Sequence, residues 1–468
     1  MNAVDGVRAD VGGMNAVDGI RADVGGMNAV DGIRADVGRM TLPPGPPYPR
    51  ALQTLGWLQR PMPFMERCRE RYGDAFTLRI AHEGTWVLLS DPEAVKQVFT
   101  GDPRLLHAGE ANVVLLPVLG SHSVLLLDDD PHMRHRKLML PPLHGERLAR
   151  HAETMREVAE REVAGWPAGE PLTLAPRMQD VTLEVIVRTV FGLEGGERQH
   201  ELRRRLRAAL DLLVTPGPYL LFLLLVGPRR AAKMPALHRV LKPVDDLLFE
   251  EIARRREDPL LGERDDVLSL LLQARHDDGE PMSDRELRDE LMTLLVAGHE
   301  TTATAVSWAV ERLLRHPDKL ERARSGDEEY MDAIVKETLR LRPVIPIVAR
   351  KLMEPMEIGG WELPAGATAA PCIHLIHRRE DVYPEPRAFR PERFLEQPAG
   401  TYTWIPFGGG VRRCLGAAFA LQEMKIVLQA IVAQAPLRPV RPDSERVSRR
   451  SIALVPERGA EVMVGAAS

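Results

Sequence analysis

Near its C-terminus the chain reads Phe407-Gly408-Gly409-Gly410-Val411-Arg412-Arg413-Cys414-Leu415-Gly416, then runs into an apolar helical pattern from Ala417 to about Ala433. A cysteine just before a helix N-terminus has its thiolate favoured, because free N–H groups and the helix dipole stabilise negative charge there. The glycines let the backbone come close to a flat partner. Arg412 sets a fixed positive charge beside the sulfur. The remaining cysteines, Cys68 and Cys372, are distant from Cys414 and from each other, and no C-x-x-C pair exists. A disulfide framework and a structural zinc site are therefore not expected, and a reducing compartment, the cytoplasm, is.

Length and charge narrow the class. The chain has 468 residues, 44% hydrophobic and 28% charged, with a formal net charge of -5. That is an ordinary globular composition, with a balance that points neither to nucleic acid nor to a membrane surface. No apolar stretch reaches the roughly 18–20 residues of a membrane span, so no transmembrane anchor is expected. The first residues repeat, with near-identical units starting at Met1, Met14 and Met27. These Gly-, Ala- and Asp-rich units have no run long enough to bury, so residues 1–39 read as a flexible tail. Residues 40–468 read as one domain, with Met40 a candidate start.

Along that domain, Ala51 to about Gly73 has an amphipathic helical pattern. Phe76–Ile80 and Thr85–Leu89 flank a turn and predict a hairpin. Asp91-Pro92 opens a helix as cap and first turn. Helices are expected over Val181–Phe191, Glu201–Leu213, Leu287–Leu314 and Glu329–Leu341, with strands returning between Val344 and Ala370. The fold class is thus mainly α with small β-sheets (α+β), in a single large helical domain.

A thiolate, a close-approach loop and a cation for carboxylates are what ligating haem iron requires. The loop matches F-x-x-G-x-R-x-C-x-G, and the chain resembles the cytochrome P450 family from Met40 to its end. The helix over Leu287–Leu314 contains Ala297-Gly298-His299-Glu300-Thr301-Thr302, where Gly298, Thr301 and Thr302 are poor helix formers whose presence suggests a functional notch with room beside Gly298. It resembles the family's oxygen-activating A-G-x-D/E-T. By that resemblance Thr301 hydrogen-bonds dioxygen and Glu300 passes protons inward. His299-Glu300 also begins the zinc-protease pattern H-E-x-x-H, but the fifth position is Ala303, which excludes that reading.

Further positions follow from the resemblance. Glu337-Thr-Leu-Arg340 and Pro391-Glu-Arg393-Phe394 are similar to the family's E-x-x-R and P-E-R-F segments. They imply a buried network of Glu337, Arg340 and Arg393 behind the cysteine loop. The haem b cofactor carries two propionates, for which His132, Arg136, Arg350 and Arg412 are the candidates. Phe407, Gly408, Gly416, Ala297 and Gly298 would line the haem, with Cys414 as axial ligand of its iron. Arg134, His135, Lys137, Arg147, Arg150 and Arg413 suggest a basic face for an acidic electron donor, a ferredoxin or flavodoxin. Substrate-facing segments are His107–Ser123, Leu210–Val226, the helix before Gly298, Val344–Val348 and Ser451–Leu454. Many of their side chains are Leu, Val, Ile and Pro, so an apolar organic substrate is expected. The reaction implied is monooxygenation by O₂, a hydroxylation or epoxidation. The alternatives are a haem-thiolate peroxygenase or isomerase, and a non-catalytic haem-binding sensor. Both leave Glu300 and Thr301 without a role.

Overall fold

Asp91 caps its helix as its residue type dictates: the carboxylate accepts from Ala94 N at 2.9 Å, and Pro92 stands at the first turn of Pro92–Thr100. The same local chemistry sets other boundaries in the computed structural model, which describes residues 42–193, 195–214 and 226–465. The repeats of 1–39, Met40 and nearly all of the apolar run 219–226 lie outside these. Ala51–Gly73, expected as one helix, is two, Arg50–Gln59 and Pro61–Tyr72. Pro61 lacks an N–H and drives the preceding residue from helical angles. Arg60 accordingly sits at φ -141°, ψ 65°.

The predicted hairpin forms between Ala75–Ile80 and Gly84–Leu89, with Phe76 opposite Leu88. It does not stay an N-terminal feature. A five-stranded sheet runs in the order Ala75–Ile80, Gly84–Leu89, Thr368–Pro371, Arg350–Leu352, Leu106–His107. The strands expected near the two ends of the domain are thus one sheet. A further three-stranded sheet joins Pro171–Thr173, Glu461–Val464 and Leu437–Pro439.

The central helix is Asp284–Leu314, whose start is fixed by a capping box between Ser283 and Glu286. It packs against Leu174–Phe191 and Ala417–Gln434. Val185, Ala305, Ala309, Met424 and Val427 share one buried cluster there. Full burial of such an aliphatic side chain contributes about 1.5–3 kcal/mol. That packing holds poor helix formers in an unbroken helix. Leu415, beside Cys414, packs in the same cluster as Leu291 and Leu295, which brings the cysteine loop up to the central helix.

Candidate active site

The cysteine loop is built on its own backbone. Cys414 N–H donates to Phe407 O at 3.0 Å and Gly408 N–H to Ile405 O at 3.0 Å. Gly408 and Gly410 both have φ of +66°, where a side chain is strained. A Cβ on Gly409 or Gly410 would also collide with Phe99, at 2.2 Å from its ring and 2.1 Å from its carbonyl oxygen. These two glycines serve close packing on the helix Pro92–Thr100. Gly416, by contrast, has nothing within 4 Å of the place a Cβ would take.

Cys414 is exposed. The protein mass around it nonetheless pushes its thiol pKa up, against the Gly416 N–H and the charges of Arg136 and Arg413. Burial therefore outweighs the helix-end stabilisation expected from the sequence. The sulfur is thus accessible yet flanked closely enough by protein to be poorly solvated. Ala297 is likewise exposed in the middle of the otherwise largely buried central helix, with Thr301 partly so one turn on.

The four residues proposed for the carboxylates converge. Arg136 donates to Arg413 O at 2.9 Å and Arg350 to Gly409 O at 3.4 Å, so the cysteine loop is held from both flanks. Arg412 pairs with Asp128 and donates to Val124 O at 3.3 Å. His132 is buried, and burial first, then Arg412, Arg136 and Arg350, lower its pKa to about 3. At neutral pH it is therefore a neutral donor, and not the cation expected. Burial lowers Arg350 and Arg412 to about 10. Three guanidinium groups and an imidazole gather here, with Asp128 paired to Arg412. That donor set fits a dianion such as the two propionates of haem, beside an accessible thiol.

Behind the loop the acid–arginine network forms as implied. Arg340 binds Glu337 through two hydrogen bonds, at 2.6 and 2.8 Å, both side chains fully buried. Arg393 Nε reaches Glu337 at 3.2 Å. Arg340 also donates to the carbonyls of His377 and Pro386, each at 2.8 Å. His377 Nε2 accepts from Ile405 N at 3.0 Å, two residues before Phe407. Burial drives the pKa of His377 well below its usual value, which keeps the imidazole neutral for that bond. Tyr383 lies under both arginines, its hydroxyl donating to Thr403 O at 3.1 Å. His377, Tyr383 and Asp128 went unnoticed in the sequence, since no local pattern marks them.

On the central helix, Glu300 forms an ion pair with Arg450 at 3.4 Å. Thr301 Oγ1 donates to Ala297 O at 2.6 Å, within its own helix. The room expected beside Gly298 is not open: a Cβ there would lie 3.0 Å from Ile186 Cδ1. The glycine admits Ile186, and accessibility is instead at Ala297. Glu423 is fully buried on the helix after the cysteine loop, and neither carboxyl oxygen makes a hydrogen bond of good geometry. Burial, only partly offset by Thr302, raises its pKa to about 8.

The basic face is smaller than expected. His135 is buried against Glu290 and Glu286, and Lys137 and Arg150 are paired with Asp277 and Asp265. Arg134 and Arg413 remain exposed, together with the apolar Met133 and Val411.

A helical fold around an accessible cysteine, with a cationic cradle on one side and an acid–alcohol pair on a central helix, defines the haem-thiolate class. The chain matches the family described as Cytochrome P450 over residues 43–462. A Mycobacterium tuberculosis protein named cytochrome P450 135B1 is 44% identical over 441 residues, covering 91% of this chain and 92% of its own. Cytochrome P450 137 of the same organism is 39% identical over 434 residues, 90% of each chain. The fold is shared with a cyanobacterial CYP120A1 bound to retinoic acid, at a TM-score of 0.78 and 24% identity, over 91% of this chain and 99% of that one. This protein belongs to the cytochrome P450 family and is a haem-iron monooxygenase. Among the described residues no helix is long and apolar enough to cross a membrane.

Proposed function

We propose that residues 40–468 form a single catalytic domain that binds haem b through Cys414 and oxygenates an apolar organic substrate by hydroxylation or epoxidation. The convergence of Arg136, Arg350 and Arg412 on His132, with Arg136 and Arg350 gripping the cysteine loop, carries this reading. Bound haem supplies the activation of O₂. Cys414 would hold the iron as a thiolate, against the burial that raises its thiol pKa. Arg136, Arg350 and Arg412 hold the propionates, and His132 adds a neutral N–H. Phe407, Gly408, Gly416 and Ala297 would border the ring, while Glu337, Arg340 and Arg393 would keep the loop in place.

Thr301 gives its own proton to Ala297 O, which leaves the hydroxyl lone pairs free to accept from the reacting side. Glu300 stands beside it and meets Arg450, which is 29% exposed. The carboxylate is thereby connected towards solvent, and its role is to move protons inward. Electrons come from a ferredoxin or flavodoxin that docks over Arg134 and Arg413, where exposed Met133 and Val411 add apolar contact. The buried free thiols Cys68 and Cys372 suit the cytoplasm, since burial pushes their pKa values to about 11 and 12 and leaves them unreactive.

Turnover under ¹⁸O₂ tests this. With a reduced ferredoxin or flavodoxin and a substrate found by spin-state shift, product should carry one ¹⁸O. Thr301→Ala and Glu300→Gln should divert electrons to peroxide. Turnover with hydrogen peroxide alone, indifferent to both substitutions, would place the protein among the peroxygenases.

A further inference from the structure

Beyond the haem site, three segments bring imidazole and carboxylate groups together at one point. His135 lies on the helix Asp129–Met139, His276 on the turn before the central helix, and Glu286 in that helix's first turn. One ligand atom from each lies within 4.8 Å of the other two. His135 Nε2 is 3.3 Å from Glu286 Oε1, and His276 Nε2 is 3.9 Å from the same oxygen. Ligands at about 2.0–2.1 Å around a tetrahedral ion stand about 3.3–3.4 Å apart, close to the distances from Glu286 Oε1 to the two imidazoles.

Each group is oriented by something else. Glu286 Oε2 accepts from the backbone and hydroxyl of Ser283, both at 2.7 Å, which turns Oε1 toward the imidazoles. His135 Nδ1 lies 2.7 Å from Glu290 Oε1, so its proton belongs there and Nε2 faces inward. A carboxylate behind a histidine is the usual outer support of a metal ligand. His276 packs on His135 with ring centroids 5.7 Å apart, and its Nδ1 is buried with no hydrogen-bond partner among the described residues. Its turn is pinned by His276 N–H to Glu280 O at 2.9 Å. The side chains of His276 and Glu286 are 11% and 22% exposed, so an ion can reach them.

Two imidazole nitrogens and one carboxylate oxygen converge on one point, a donor set that suits a cation between them. We propose that His135, His276 and Glu286 form a binding site for a divalent transition ion, with Zn²⁺ the best fit to a two-nitrogen, one-oxygen set. Glu290 is the supporting carboxylate. The bound ion ties the helix carrying His132 and Arg136 to the start of the central helix.

Zn²⁺ itself is the probe, titrated calorimetrically into the chelator-treated, haem-loaded enzyme. His276→Ala and Glu286→Gln are compared with His238→Ala, an exposed histidine outside the cluster. Glu286→Gln keeps an N3 residue able to complete the helix cap. One strong Zn²⁺ site per chain is expected, weakened roughly ten- to a hundredfold in the first two variants and unchanged in the third. A Zn²⁺-induced rise in melting temperature should vanish with the same two. No strong site in the wild type, or equal affinity in His276→Ala and Glu286→Gln, overturns the proposal and leaves His135 as a protonated bridge between two glutamates.

Discussion

Two clusters of arginine flank the cysteine loop, and they are built on opposite principles. Behind it, Glu337 is enclosed by Arg340 and Arg393, and the remaining donors of Arg340 end on carbonyl oxygens. In front of it, Arg136, Arg350 and Arg412 crowd around His132, and among the described residues Asp128 alone is in direct pairing, to Arg412. The first cluster wraps two guanidinium groups around one fully buried carboxylate and makes structure. The second carries excess positive charge, which costs the protein stability until a dianion arrives. Direct pairing of each arginine with a carboxylate thus distinguishes the rear cluster from the front one where residue type alone does not.

The difference can be broken most severely at the rear cluster. Arg340→Ala leaves Glu337 buried and short of its main partner, a loss on the order of 3–5 kcal/mol. Urea unfolding of the purified protein should show that loss, and haem content should fall to near zero. A variant that keeps wild-type haem content would mean that the network does not position the loop.

Glu423 shows what a buried glutamate does without arginines. Its pKa of about 8 stands above the ordinary 4.5, so folded protein holds the proton where unfolded protein has lost it. Stability present below pH 4.5 is therefore lost as pH rises towards 8, by at most about 1.4 kcal/mol per unit. Glu423→Gln should flatten the dependence of melting temperature on pH across that window. An unchanged slope would show that other groups cause it.

At the front cluster the two readouts should separate. Arg350→Gln removes a charge-assisted contact to a propionate, about 1.5–3 kcal/mol, or roughly ten- to a hundredfold in haem retention. Yet the apoprotein should melt no lower than wild type, because like-charge crowding is relieved. Parallel loss of apoprotein stability would contradict the division between scaffold and site.

The smallest effect belongs to His132. Its pKa of about 3 lies below the ordinary 6.5, so unfolded chains take up a proton that the folded apoprotein refuses. Stability is full above pH 6.5 and declines as pH falls towards 3. His132→Asn apoprotein should lose about 1 kcal/mol less than wild type between pH 6.5 and 5.5. Equal acid sensitivity would show that His132 is not held neutral.

What could be read from the sequence was what lies close along it. Cys414 with its glycines, Glu337 with Arg340, and Glu300 with Thr301 are each within one or two turns, and the local pattern places them. The partners that complete them are remote. Asp128 meets Arg412 and His377 meets Ile405 only after the chain has folded, and neither belongs to a motif. Gly298 was readable as a glycine with a purpose, though its neighbour Ile186 decides which one. His135 read as surface charge because Arg134 and Lys137 flank it, while the helix turns it inward to Glu290. Charge state was the least legible feature, since His132 owes its neutrality to burial and three distant arginines.

The proposal that Cys414 would be the thiolate ligand of a haem held by the front cluster is tested most directly by one spectrum. The reduced enzyme is treated with carbon monoxide and its difference spectrum recorded for wild type and Cys414→Ser. A strongly red-shifted Soret band in the wild type, absent from the variant, is the expected result. A wild type without that band, or a Cys414→Ser variant that retains it, would contradict ligation through Cys414.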